Sequence, residues 1–209
     1  MGAINLSGLI WPEPQPQANL NAPWYAAIKA DTNVITGKRV LSSGGVNTAQ
    51  GRGSTLALTS GQSYNLGIPV TPSWSLLFAG RLVYTDTFSY FVGCTSGSAS
   101  LALDLNGATL GDRTGFYNGS GFVDSGFMSA VGELEVIGLT YDAATTTYTW
   151  FKNGALTATT GSSSFAGAGT WQFVAAAAHN PTVTITLLAF ASRAVSPSEM
   201  SALTINPYD

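Results

Sequence analysis

From Lys38 onward, polar and apolar residues alternate in short runs separated by turns rich in Gly, Ser and Asn. A period of two places successive side chains on opposite faces of an extended chain, so it cannot sit as a helix. Thr55–Thr59 (TLALT) and Ser63–Leu66 (SYNL) alternate in this way, with Ser60-Gly61-Gln62 as a turn between them. Trp74–Tyr84 is longer and nearly continuous in apolar residues, the mark of a strand in the middle of a sheet. Phe88–Gly93, Leu101–Leu105 and Gly115–Asn118 follow, and then Glu133–Tyr141, Thr146–Lys152 and Ala155–Thr160. Asn153-Gly154 joins the last two, and this dipeptide is the strongest short hairpin signal because a type I′ turn needs positive φ at both positions. Trp171–Ala176 and Val183–Ser192 complete the set. Ten or more short strands with such turns predict an all-β fold, an antiparallel sandwich or barrel.

Two segments break the pattern. Leu9–Gln17 (LIWPEPQPQ) spaces Pro12, Pro14 and Pro16 at alternate positions, and each proline also pushes its predecessor toward extended backbone. Residues 1–36 therefore read as an extended N-terminal arm and residues 37–209 as the folded domain. Trp11, Trp24 and Tyr25, with the three prolines, are the candidate anchors of the arm, either on its own domain or on a neighbouring subunit. Trp24–Asp31 (WYAAIKAD) reads as a turn or two of helix. The second break is Ser196-Pro197-Ser198-Glu199, a cap residue, a proline at the first helical position and an acid three residues after the cap. With Met200, Leu203 and Thr204 at helical spacing and Asn206-Pro207 as a stop, it predicts one short C-terminal helix.

Composition closes much of the functional space. Only 9% of the 209 residues are charged and the net charge is −3, so the clustered cations that phosphate neutralisation needs are missing and nucleic acid is not an expected partner. One Cys and one His cannot build a zinc site of the usual Cys/His kind or an internal disulfide framework. His179 reads as a loop residue, and Cys94 as a small buried hydrophobe. No apolar run is long enough for a membrane helix, and Met1–Asn5 lacks the basic flank and apolar core of a signal peptide.

Three stretches carry a resemblance. Leu56–Gly67 (LALTSGQSYNLG) looks like a strand pair, and Thr140-Tyr141-Asp142 with Tyr148–Gly154 (YTWFKNG) looks like a hairpin. Ala189–Glu199 (AFASRAVSPSE), ending in Asn206-Pro207-Tyr208, looks like a closing strand and helix. In this order they resemble the laminin-G-like, concanavalin A-like jelly-roll domains carried by tailed-phage structural proteins. The resemblance implies a jelly-roll sandwich and a structural or adhesive role in a virion, as a head decoration, neck or tail-fibre component. Its partners would be other virion proteins and copies of itself. A carbohydrate-binding, lectin-like module that recognises a host-surface glycan is the alternative.

Neither reading is enzymatic. Glu133 and Glu135 are the close acidic pair on a strand, the arrangement a glycosidase would require, but they are expected to open an exposed strand and face water. Tyr84, Tyr90, Tyr117 and Phe122 are the candidate aromatics for a sugar platform. Asp104, Asn106, Asp112, Asn118 and Asp124 could supply oxygen ligands to calcium, although turns call for the same residues; no other cofactor is expected.

Overall fold

A computed structural model describes residues 24–28, 46–50, 53–57, 63–83, 90–97, 103–107, 113–130, 132–161, 164–174 and 182–205. Trp11, Pro12, Pro14, Pro16, Tyr84, Asp112 and His179 lie outside them.

The described chain folds into two antiparallel sheets packed face to face and one helix, a jelly-roll-like sandwich. The first sheet contains β1 (Trp24–Ile28), β2 (Val46–Gln50), β3 (Gly53–Ala57), β5 (Trp74–Val83), β10 (Leu134–Asp142), β11 (Thr147–Lys152), β12 (Ala155–Gly161) and β14 (Thr182–Ala191). The second runs β4 (Ser63–Pro69), β13 (Gly167–Val174), β6 (Tyr90–Gly97), β7 (Leu103–Gly107), β8 (Arg113–Tyr117) and β9 (Phe122–Asp124) in spatial order. Helix α1 (Pro197–Ile205) closes the described chain.

Alternation decides which residues meet between the sheets. Trp74, Leu76 and Phe78 of β5 face inward with Ile137, Leu139 and Tyr141 of β10 and Tyr148 and Trp150 of β11. Opposite them stand Leu66, Ile68, Val92, Cys94, Phe116, Val123 and Trp171. The intervening residues Leu77 and Ala79, with Leu187 and Ala189 of β14, form a second core with Phe151, Met200 and Leu203 on the other face of the larger sheet. Strand β5 is buried on both faces, which is why its sequence reads as a continuous apolar run.

The two terminal signals fare differently. Ser196 Oγ accepts from Glu199 N at 3.2 Å, and Met200, Leu203 and Thr204 are buried, as the helix signals required. The Glu199 carboxylate accepts from Arg193 at 2.6 Å. Asn153 (φ 48°) and Gly154 (φ 87°) make the positive-φ hairpin. Gly154 is also held to the helix, its N–H donating to Thr204 Oγ1 at 3.1 Å and its carbonyl accepting from Ser201 Oγ at 2.6 Å.

Three expectations are corrected. Trp24–Ile28 is a strand and not a helical turn: it pairs with Leu188–Ala191 of β14, whose edge would otherwise leave backbone groups unpaired. Those contacts override a weak local helix preference. The backbone of Trp24 and Tyr25 is thus tied to its own chain. The second correction concerns Leu56–Gly67, read as a strand pair: its two strands do not pair with each other, since β3 pairs with β2 and β14 in one sheet and β4 pairs with β13 in the other. Third, Glu135 does not face water. It is 2% exposed, lies 2.6 Å from Lys152 Nζ and accepts from Ala130 N at 2.8 Å. As an inward-facing position of β10 near the sandwich end, it needs a cationic partner to be buried at all.

Candidate functional site

Two of the four candidate aromatics meet. Tyr117 ends β8 and Phe122 begins β9, directly opposite each other in the antiparallel register. Their ring centroids are 5.2 Å apart at 54°, and both are half-buried. Phe116, one residue earlier, points into the core, so alternation sends Tyr117 to the outer face of the six-stranded sheet.

The turn between them is built by Asn118. Its N–H donates to Gly121 O at 3.0 Å, and its Oδ1 accepts from Ser120 N, Ser120 Oγ and Gly121 N at 2.9, 3.0 and 3.0 Å. Gly119 takes φ +103°, and Ala166 N–H donates to the Asn118 carbonyl at 2.8 Å. Asn118 is 1% exposed, so the rings beside it sit on a fixed base. Below them, Arg113 pairs with Asp124 at 2.8 Å, and Asp124 also accepts from Gly126 N at 2.8 Å.

These contacts bear on the calcium candidates. Asn118 spends its oxygen on the turn and Asp124 on Arg113 and Gly126, which leaves them as turn and sheet residues. Asn106 and Asp104 lie on β7, and the register aligns Tyr90, Asp104, Gly115 and Asp124 across β6 to β9. Among the described residues no group of three or more His, Cys, Asp and Glu could hold a metal ion.

The acidic pair does not converge. Glu133 is exposed just before β10, whereas Glu135 is enclosed with Lys152, which also stands 4.8 Å over the Phe127 ring. A buried, ion-paired carboxylate has no access to a glycosidic bond. Cys94 is wholly buried, and burial pushes its thiol up to about 12.

A second cluster on the same face was not singled out in the sequence. Asn65 of β4 accepts at Oδ1 from Thr170 Oγ1 at 2.7 Å and from Gly67 N at 2.8 Å. Thr95 Oγ1 accepts from Thr170 N at 2.9 Å and lies 3.2 Å from Thr170 Oγ1. Gln172 Nε2 donates to Cys94 O at 2.7 Å. Only the alternation of Asn65 and Gln172 with the inward Leu66 and Trp171 could have flagged it, and partner strands this distant in sequence hide the meeting.

No family model and no curated protein matches the sequence. Solved structures do resemble the fold. Domain 4 of an extracellular arabinanase from Geobacillus stearothermophilus, solved with arabinotriose, superposes with a TM-score of 0.56 at 13% identity, over 87% of this chain and 88% of that one. A structure of botulinum neurotoxin type C, described as depending on two ganglioside molecules for cell entry, gives 0.56 at 10% identity over 91% of this chain. The receptor-binding domain of the type G toxin gives 0.51 at 10% over 78%. This chain spans 51% and 44% of those two toxin chains. At these identities the likeness establishes the β-sandwich fold.

Proposed function

We propose that this protein is a non-catalytic carbohydrate-binding module that holds a glycan on the outer face of its six-stranded sheet. The observation that carries the reading is the Tyr117–Phe122 pair, two half-buried rings on a fixed turn, flanked by a satisfied ion pair. Sugar C–H faces stack on aromatic rings, and hydroxyls take up amide and hydroxyl partners, so such a surface binds without charge. The arabinanase domain solved with arabinotriose and the ganglioside-dependent toxin, both sharing the fold, favour this lectin-like reading over a purely structural one. The enclosed Glu135 argues against hydrolysis.

The module would serve host-surface recognition, on a virion if the sequence resemblance extends to the setting, with copies of itself as neighbours. Residues 1–36 would then attach it, and because Trp24–Ile28 belongs to the sheet, an attachment test should delete residues 1–22 alone. Loss of assembly with an unchanged melt supports that role, whereas normal assembly removes it.

A glycan microarray probed with the wild type and with Phe122→Ala tests the binding reading. Wild type should bind a defined set of glycans and the variant should lose at least about tenfold, the worth of one stacking contact. Equal signals from both proteins, or none from either, would overturn it.

A further inference from the structure

The polar cluster and the aromatic pair lie on one face of the six-stranded sheet. Gln172 stands opposite Asn65 on β4 and opposite Gly93 on β6. Val92, Leu103 and Phe116 form the neighbouring row across β6, β7 and β8, and Phe122 stands opposite Tyr117. Asn65, Gln172 and the buried Gly93 share one row across β4, β13 and β6, and Tyr117 and Phe122 share another across β8 and β9; together they cross the face from β4 to β9. Five strand intervals separate its ends, about 24 Å at the usual interstrand spacing, the reach of about five extended sugar units.

The polar end is shaped by backbone that ordinary strands avoid. Gly67 (φ +70°), Gly97 (φ +81°) and Gly169 (φ +79°) lie on the three adjacent strands β4, β6 and β13. The register of β13 shifts against both of its neighbours in this region. A Cβ on Gly169 would collide with Thr95 Oγ1 and come within 2.8 Å of Ser96 Oγ. Such bulges re-aim side chains, and here they bring Thr170 between Asn65 and Thr95. After these bonds no partner is recorded among the described residues for Asn65 Nδ2 or Gln172 Oε1, a donor and an acceptor within one row.

We infer that this face binds a linear, neutral oligosaccharide lengthwise across the strands, with Tyr117 and Phe122 stacking one end and the Asn65–Thr95–Thr170–Gln172 cluster hydrogen-bonding the other. The inference rests on the glycan-binding reading above and adds ligand length, direction and charge class. Neutrality follows from the groups on the two rows: amides, hydroxyls and rings, with Arg113 already paired to Asp124. An acidic polymer finds no spare cation there among the described residues.

The test is calorimetric titration with arabino-, gluco-, manno- and xylo-oligosaccharides of two to six units. In the series that binds, affinity should climb with length to about five units and then level. Gln172→Ala should flatten that climb, costing the longest ligand about fivefold, the worth of one neutral hydrogen bond, while leaving the disaccharide unchanged. Tyr117→Ala should weaken every length. If Gln172→Ala melts early, Thr170→Val keeps the shape and provides the same comparison. A disaccharide that binds as tightly as the hexasaccharide, with Tyr117→Ala still weakening both, overturns the lengthwise site and leaves the module reading standing. Binding that ignores Tyr117 at every length, or no binding in any series, overturns both.

Discussion

Phe116 and Tyr117 are neighbours on one strand and lead opposite lives. Phe116 lies inside, 5.0 Å from Trp74, 6.0 Å from Tyr148 and 5.6 Å from Phe165 by ring centroid. Trp74 adds Tyr141 and Trp171 to the same cluster, and all of its surface is buried. Tyr117, on the outside, meets a single ring among the described residues, that of Phe122. The interior is aromatic because large rings fill the space between two sheets at little entropic cost; the outer pair is half-buried and contributes a single cross-strand ring contact.

The contrast breaks first in the interior. Trp74→Ala should cost about 3–5 kcal/mol and leave a protein folded marginally if at all, checked by thermal melting. Glu135→Ala comes next, at about 1–3 kcal/mol, because Ala130 N and the half-buried Lys152 would lose the carboxylate they share. That variant separates structure from catalysis: a lowered melt identifies a structural carboxylate, whereas a normal melt would reopen a chemical role. Gly169→Ala on the outer face should cost about 1–3 kcal/mol, since the new methyl group meets Thr95 at a positive φ. Oligosaccharide binding should weaken with it as Thr170 shifts.

Smaller effects sharpen the same boundary. Folding raises the Cys94 thiol from its ordinary 9.0 to about 12 by burial, so above about pH 9 the unfolded chain releases a proton that the folded chain keeps. Stability should therefore fall from about pH 9 toward 12, and Cys94→Ala should flatten that slope in urea titrations. Tyr148, raised by its own burial and then by Tyr141, leaves some slope in the variant. Least of all, a calcium chelator should leave glycan binding unaltered, because Asn118 and Asp124 are committed to the turn and to Arg113. Loss of binding on chelation would move the site to the loops.

What the sequence made legible was whatever is written in local pattern. Alternation marked most strands, Asn153-Gly154 marked its hairpin, and Ser196-Pro197 marked α1. The failures were non-local. Nothing within Trp24–Ile28 reveals that β14 has a free edge to offer, and nothing within Leu56–Gly67 tells that its halves belong to different sheets. Glu135 looked solvent-facing because its partner Lys152 comes from the next strand of the sheet. The candidate site was half visible: Tyr117 and Phe122 flank an Asn-Gly-Ser-Gly turn, a local signal, whereas Asn65, Thr95 and Thr170 meet only through bulged strands far apart in the chain.

One paired measurement goes to the centre of this account: melting temperature and glycan-array binding of Tyr117→Ala beside Phe116→Leu. The first should keep its melt within a few degrees and lose its glycans, and the second should melt several degrees lower yet still bind once folded. A Tyr117→Ala protein that melts normally and binds as the wild type does would contradict the account.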